Sequence, residues 1–241
     1  MKKGESKKPS SLQRLVGLPG ERPKVILAVK DDLSTVRRLC RPGVDVLELR
    51  IDQFGSRDPA HLERTAAKLQ RFGRPLLATV RSATEGGAVK LPDPLRAELW
   101  RAVLPRVAAI DVEVRSVGKL SDLCRDARER GCTIVLSYHD FRRTPSMREL
   151  EALYQRARAA GADVVKLAVW ATAPHDVWRV AAFTWEHRAF PLVTMTMGPL
   201  GPLSRLLLPL FGSRWVYTSV VPAHGQIPLF RLLSDLRFYF P

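Results

Sequence analysis

Gly161-Ala162-Asp163-Val164-Val165-Lys166-Leu167-Ala168-Val169 ends in six residues that are apolar apart from one lysine. A short apolar run of this kind is typical of a strand buried on both faces, as in a parallel sheet covered by helices. Burial removes the hydration of an ammonium group and favours the neutral amine, which forms Schiff bases with ketones and aldehydes. The stretch alone leaves a simpler interpretation open, in which Lys166 lies near the strand end and its ammonium group reaches solvent.

The pattern of a short apolar strand followed by an amphipathic helix recurs along the whole chain. Eight such units between residues 23 and 241 predict a single-domain α/β fold, the TIM (β/α)8 barrel. A doubly wound sheet is the alternative, but no GxGxxG or P-loop motif follows the first strand. The predicted strands are 24–29, 45–51, 75–80, 108–114, 133–138, 164–169, 192–196 and 215–220, and the predicted helices are 33–39, 59–72, 94–104, 120–130, 146–160, 176–187, 203–210 and 227–238.

Residues 1–22 are rich in lysine, glycine and proline with little periodicity, which predicts a flexible basic tail before the barrel. The net charge of +15 is spread over many segments, so we favour a solvated basic surface that attracts an anionic substrate over a nucleic-acid partner. No apolar run is long enough to span a membrane, and no secretory signal precedes the barrel. Three cysteines without ligand spacing indicate reduced thiols in a cytoplasmic protein and no metal site.

Polar residues collect where the predicted strands end. In a TIM barrel the chemistry lies at the carboxyl ends of the strands, so these side chains are expected to face one cavity. This shared position, more than any single residue, argues against a solvent-exposed lysine. The polar residues are Glu48, Arg50, Arg81, Glu85, Asp111, Glu113, His139, Lys166, Arg205 and Gln226, and Met195 and Met197 end the seventh strand beside them.

The types of residue in this set suggest a different chemical role for each. His139 ends the strand next to the lysine strand and is suited to proton transfer at neutral pH. Glu85 could orient its ring, as the acid of a triad does. Arg81 and Arg205 are candidates to bind a carboxylate through paired N–H groups, and the turn containing Gly198 with the following helix could help to hold an anion.

The remaining charged residues come in pairs two positions apart, so both members of a pair point to the same side of a strand. Glu48 and Arg50 form either a buried salt bridge or a substrate contact. Asp111 and Glu113 could pair with Arg50, Arg81 or Lys166, and we expect them to support the lysine without touching the substrate.

These segments together resemble type I 3-dehydroquinate dehydratase, the Schiff-base enzyme of the shikimate pathway. The resemblance rests on seven segments in the family's order that extend from about residue 23 to the C-terminus. They are Glu48-Leu49-Arg50-Ile51-Asp52; Thr79-Val80-Arg81-Ser82-Ala83-Thr84-Glu85-Gly86-Gly87; Ser137-Tyr138-His139-Asp140-Phe141 with Thr144-Pro145; Gly161 to Lys166; Met195-Thr196-Met197-Gly198; Ser204-Arg205 with Phe211-Gly212-Ser213; and Gly225-Gln226.

The resemblance implies a homodimer that needs no cofactor and dehydrates 3-dehydroquinate. It implies that Lys166 forms the Schiff base, that His139 shuttles protons and that Glu85 orients His139. It also implies that Arg205 binds the substrate carboxylate, and that the hydroxyls are held by a set of polar residues that closes the site, namely Glu48, Arg50, Arg81 and Gln226.

The chain departs from the family pattern in the closing loop. Members commonly read Ser-Ala-Pro-Gly-Gln there, whereas this chain has Pro222 in place of the serine and His224 in place of the proline. On the first strand, Ala28 stands where some members carry a serine. Loss of one hydroxyl contact costs about 1 kcal/mol of binding, so we expect weaker substrate binding before lost chemistry.

Two other functions remain compatible with the residues. A lysine Schiff-base aldolase acting on a phosphorylated sugar would need a phosphate site after strands seven and eight, for which the turn from Gly198 to Ser204 is the candidate. A catalytically inactive barrel, or a basic protein that binds nucleic acid, would account for the altered loop and the positive charge.

Overall fold

Eight parallel strands form the centre of the structure, a computed structural model that describes residues 11–18, 20–221 and 225–240. They are β1 (Lys24–Val29), β2 (Val46–Arg50), β3 (Leu76–Thr79), β4 (Ala109–Glu113), β5 (Thr133–Asp140), β6 (Val164–Trp170), β7 (Leu192–Met197) and β8 (Trp215–Ser219). Each strand pairs with the next along the chain from β1 to β7, and β8 pairs with β1. The sheet ends meet where the N–H of Arg214 donates to the carbonyl of Leu192 (2.8 Å). The predicted TIM barrel is therefore confirmed, as a nearly closed barrel.

Helices follow every strand and cover the outside of the barrel. They are α2 (Leu33–Leu39), α3 (Pro59–Gln70), α4 (Asp93–Val103), α5 (Ser121–Glu129), α6 (Met147–Ala159), α7 (Pro174–Glu186), α8 (Gly201–Leu210) and α9 (Leu229–Tyr239), after α1 (Ser11–Val16) at the start. The ends of the predicted strands and helices lie within two residues of those observed. The capping box predicted before α6 is present, because Ser146 and Glu149 each accept a hydrogen bond from the other's backbone N–H.

Helix α1 differs from the prediction of a tail that continues to residue 22. Leu15 and Val16 are buried against the barrel interior, and the carbonyl of Leu15 accepts a hydrogen bond from the indole of Trp215 (3.1 Å). Six residues are too few for a helical period to show in the sequence, and it is burial against the barrel that stabilises them. Residues 1–10 of the predicted tail lie outside the described residues.

The barrel interior is layered along the strand direction. Apolar residues such as Ile26, Val46 and Leu77 fill the layers near the strand starts. The next layers toward the carboxyl ends carry polar side chains, and the strand register pairs Arg50 with Thr79, Thr79 with Asp111, and Ser137 with Lys166. A floor of packed apolar side chains thus lies under a polar upper layer. In the part of the chain that the structure describes, no helix is both long and apolar enough to cross a membrane.

Candidate active site

The carboxyl ends of the strands surround one cavity of about 360 Å³. All eight residues singled out from the sequence for catalysis or substrate binding line it, although they come from six different segments of the barrel. They are Glu48, Arg50, Arg81, Glu85, His139, Lys166, Arg205 and Gln226. The wall also includes Ala28, Phe141, Met195, Met197 and Tyr217.

Lys166 is held inside the cavity and does not reach bulk solvent, since its residue is only 3% exposed. Its Nζ donates to Oδ2 of Asp111 at 2.9 Å and lies 3.8 Å from Oε1 of Glu48. It also stands over the ring of Tyr217, 4.1 Å from the ring centroid. In this position the amine of Lys166 can reach a molecule bound in the cavity.

Arg81 anchors the carboxylates around the lysine. Its guanidinium contacts Oδ1 of Asp111 and Oε1 of Glu113, both at 2.9 Å, and donates to Oγ of Ser137 at 2.8 Å. Burial alone would raise the pKa of Asp111, but Arg81 and Lys166 hold that pKa well below its usual range. Asp111 therefore stays ionised and is shared between the two cations. The expected pairing of Asp111 and Glu113 with Arg81, and of Asp111 with Lys166, is present.

Two buried charged residues in this network were missed from the sequence. Asp52 is fully buried and accepts two hydrogen bonds from Arg50, at Nε (3.0 Å) and Nη2 (2.9 Å). The spacing of Arg50 and Asp52, two residues apart, was an available signal. Arg96 of α4 bonds the carbonyl of Val80 and pairs with Glu113. Nothing local distinguishes Arg96 from a solvent-exposed helical arginine.

Glu85 and His139 form a hydrogen-bonded pair at the cavity wall. Oε2 of Glu85 accepts from the backbone N–H of His139 at 2.8 Å and lies 3.1 Å from Nδ1 of its ring. Burial raises the pKa of Glu85 to about 7, although Arg81 opposes this. Burial, with Arg81 and Lys166, lowers the pKa of His139 well below its ordinary value. The ring is thus neutral at neutral pH, and Glu85 bonds its Nδ1 side, which leaves Nε2 for proton transfer.

Two glycines after β3 allow Glu85 to reach His139. Gly86 has a φ of +85°, and a Cβ there would lie 2.5 Å from the ring of Phe141. A Cβ on Gly87 would lie 2.1 Å from the carbonyl oxygen of Arg81. Only glycine fits such close approaches, so the loop folds back tightly and presents Glu85 inward.

Arg205 is a buried cation without a counter-ion. Its Nη1 donates to the carbonyl of Thr196 (2.7 Å), whereas its buried Nε has no hydrogen-bond partner. Among the described residues, no carboxylate forms an ion pair with it, and burial lowers its pKa to about 10. An unpaired buried guanidinium that lines a cavity is a ready site for an anion, above all for a carboxylate.

The closing loop is described in part. Gln226 lines the cavity, and its Oε1 accepts a hydrogen bond from Oγ of Ser219 at 2.7 Å. Gly225 has a φ of +79° and packs on Gly201, where a Cβ would lie 2.7 Å from the neighbouring Cα. The altered positions Pro222 and His224 lie outside the described residues.

Across the described ranges, no group of three or more His, Cys, Asp or Glu side chains could hold a metal ion.

Comparison with known proteins points to one family. The family described as Type I 3-dehydroquinase matches residues 25–240. A 3-dehydroquinate dehydratase of Thermodesulfovibrio yellowstonii is 33% identical over 207 residues, covering 85% of this chain and 89% of the relative. One from Methanocella arvoryzae is 35% identical over 219 residues, covering 89% and 96%.

Solved structures give the same result. The 3-dehydroquinate dehydratase of Geobacillus kaustophilus HTA426 superposes with a TM-score of 0.84 at 31% identity, covering 90% of each chain. The type I enzyme of Clostridium difficile, solved with covalently modified comenic acid, gives a TM-score of 0.85 at 27% identity, covering 93% of this chain and 95% of that one. A deoxyribose phosphate aldolase from Aeropyrum pernix, at 16% identity and a TM-score of 0.61, shares the fold alone.

Proposed function

Because the chain belongs to the type I 3-dehydroquinase family, we propose that it dehydrates 3-dehydroquinate to 3-dehydroshikimate through a Schiff base on Lys166. The observation that carries the proposal is the meeting, in one cavity, of a buried lysine, a carboxylate-bound histidine and an unpaired arginine. The reaction is a hydro-lyase step of the shikimate pathway. The lysine supplies the electron sink, so the chemistry itself requires no added cofactor.

The reaction begins at the C3 ketone. The ammonium of Lys166 first loses a proton to solvent, and the neutral amine attacks the carbonyl carbon. The carbinolamine oxygen then takes up a proton and leaves as water, which gives a protonated imine. Asp111 and Glu48 lie beside Nζ and stabilise the positive charge of the iminium. The iminium withdraws electrons from the neighbouring C2–H bond and acidifies its proton.

His139 carries the protons between these steps. Its Nε2 accepts the C2 proton, and the resulting enamine expels the C1 hydroxyl, which leaves as water once His139 returns the proton. Glu85 holds Nδ1 and stabilises the imidazolium that forms in between. Water then hydrolyses the imine, which releases the conjugated enone and restores the amine.

Arg205 binds the substrate carboxylate in this scheme. Glu48, Arg50, Arg81 and Gln226 hold hydroxyls and close the site around the ring. Nη1 of Arg81 already donates to Glu113 and Ser137, and Nη2 forms an ion pair with Asp111, so contact with substrate is left to its other N–H groups. Asp52 holds Arg50 through two hydrogen bonds and fixes the orientation of that guanidinium.

A direct assay tests the proposed reaction. The product is a conjugated enone and absorbs ultraviolet light, whereas the substrate has an isolated ketone. Purified protein mixed with 3-dehydroquinate is expected to give a steady rise in absorbance. A protein that folds, as judged by circular dichroism, and gives no rise with any enzyme concentration tested would contradict the proposal.

Replacing Arg205 by methionine is expected to weaken substrate binding without lowering the stability of the fold. Removal of the carboxylate's partner lowers kcat/KM by about 100-fold, since truncating one side of a buried charge pair costs about 2–5 kcal/mol. The free energy of unfolding of the ligand-free protein is expected to stay level or rise by about 1 kcal/mol, because an unpaired buried cation is removed. Steady-state kinetics and urea unfolding measure the two effects.

Arg214 provides the matched control for this substitution. It is also buried with an unpartnered Nε, but it precedes β8 at the opposite end of the barrel. The kcat/KM of the Arg214→Met variant is expected to lie within about twofold of the wild-type value, because the substitution is remote from the cavity. Equal kcat/KM in wild type and Arg205→Met would remove Arg205 from substrate binding.

We also propose that the chain forms a homodimer and works in the cytoplasm. The homodimer follows from the family resemblance, and large apolar side chains exposed on α7 and α8 support it, namely Trp178, Trp185, Leu203 and Leu210. Light scattering is expected to give twice the chain mass of 27.0 kDa, and the mass of a single chain would contradict this.

The cytoplasmic location is supported by three free thiols, at Cys40, Cys124 and Cys132.

A further inference from the structure

The two carboxylate oxygens of Glu85 have different surroundings. Oε2 is bonded to His139, as described above. Oε1 is buried and accepts no hydrogen bond from any residue that the structure describes. The guanidinium Nε of Arg115 lies 3.6 Å from it. In the proposed mechanism only Oε2 of Glu85 contacts His139, so Arg115 beside Oε1 has no part in those steps.

Arg115 is fixed in this position by the turn that follows β4. Val114 donates to the carbonyl of Ser137 and Ser116 donates to that of Glu113, both at 2.8 Å, on either side of it. The guanidinium stands over the ring of Tyr138 at 5.0 Å from the centroid, a cation–π contact. The side chain is half-exposed, so it approaches Glu85 from the solvent side of the cavity wall.

Four cations and two carboxylates surround the Glu85–His139 pair. Burial raises the pKa of Glu85 to about 7, Arg81 and Arg115 act to lower it, and Glu113 acts to raise it. Because the two groups share a hydrogen bond, they take up one proton as a pair. The charged groups that face the pair are Arg50 from β2, Arg81 after β3, Asp111 and Glu113 from β4, Arg115 after it, and Lys166 from β6.

We propose that Arg115 is a positioning residue that keeps Glu85 ionised near neutral pH and thereby keeps Nε2 of His139 free to accept a proton. When Glu85 is ionised, Nδ1–H donates to Oε2 and Nε2 is the basic nitrogen. When Glu85 is protonated, its hydroxyl donates to Nδ1, the ring proton moves to Nε2, and His139 can no longer accept the C2 proton. The proposal rests on the proposed function for the role of His139, but the protonation of Glu85 can be measured without any substrate.

The enzyme is expected to be active when the carboxylate of Glu85 is ionised and inactive when it is protonated. Activity is present above the pKa of Glu85 and is lost as the pH falls through about 7. Without Arg115 the carboxylate is less stabilised, so its pKa rises and the acid limb of the kcat/KM profile, which reports the substrate-free enzyme, moves to higher pH. Because Arg115 is half-exposed, we expect a shift of about 0.5 pH unit in the Arg115→Gln variant, which is small for a contact of this length.

Two further variants identify charge as the cause. Arg115→Lys retains a cation and is expected to recover at least half of the shift. Arg125→Gln removes an exposed arginine of α5 that pairs with Asp122, and is expected to leave the profile unchanged. High ionic strength screens exposed charges, so salt is expected to move the acid limb of the wild type upward and to move that of Arg115→Gln less.

Carbon-13 NMR of the glutamate carboxyl groups tests the same idea in the substrate-free protein. The carboxyl that titrates at the highest pH, and that disappears in Glu85→Gln, is expected to titrate about 0.5 unit higher in Arg115→Gln. An unchanged Glu85 titration would overturn the proposal, and so would an equal shift in Arg125→Gln. Absence of dehydratase activity in the wild type would instead contradict the proposed function, and the NMR titration would still decide the role of Arg115.

Discussion

The Lys166→Met variant is expected to lose dehydratase turnover by at least about 10⁴-fold, because the covalent step that makes C2 acidic can no longer occur. Asp111 keeps Arg81 and Ser137 as partners in this variant, so its charge remains paired. Glu48 keeps its hydrogen bond from Thr79 at 2.9 Å. We therefore expect the variant to fold, with a loss of stability that is small beside the loss of activity. The initial rate of enone formation at saturating substrate measures the effect.

The control for this substitution is Lys119→Met. Lys119 is highly exposed and lies in the turn before α5, outside the cavity lining. Its replacement removes the same charge and adds the same side chain, and turnover is expected to stay within about twofold. A Lys166→Met protein that turns over within tenfold of wild type would mean that another group, or no covalent intermediate at all, carries the reaction.

The His139→Ala variant is expected to turn over about 10²–10⁴-fold more slowly while still forming the imine, since general acid–base catalysis contributes this much. The imine accumulates in this variant, because C2 deprotonation becomes slower than its formation. Denaturing mass spectrometry after borohydride treatment during turnover is expected to show a larger adduct fraction than in wild type. Absorbance assays on the same samples give the rate.

The matched control for His139 is His175→Ala, since His175 is exposed at the start of α7 and does not line the cavity. Its rate and adduct fraction are expected to equal those of wild type. A His139→Ala variant with near-normal turnover would remove His139 from proton transfer. A variant that loses the adduct together with turnover would assign His139 to imine formation alone.

Much of the fold was predictable because each strand and helix carries its own local signal. The strands are short apolar runs and the helices have an apolar stripe, so the eight units could be counted without knowledge of any contact. The ends of elements were harder, as with β5, which continues through His139 to Asp140. Helix α1 was missed because its stability comes from contact with the barrel interior, which includes Trp215, 200 residues after Leu15 in the chain.

The composition of the site was predictable for a different reason. Polar residues at the ends of successive parallel strands must meet at one face of a barrel, whatever their partners are. The partners themselves depend on distance and burial. Arg96 reaches Glu113 from a helix, and Arg115 approaches Glu85 from a turn. No spacing in the sequence distinguishes these contacts from those of ordinary surface charges.

Borohydride reduction in the presence of 3-dehydroquinate tests the central claim most directly. Borohydride reduces an iminium to a stable secondary amine, so a substrate carbon becomes permanently attached to the nitrogen that attacked it. Peptide mass spectrometry is expected to find one modified peptide, with the adduct on Lys166, and none when substrate or borohydride is omitted. A folded protein that gains no adduct, or that gains it on a lysine other than Lys166, would contradict the account.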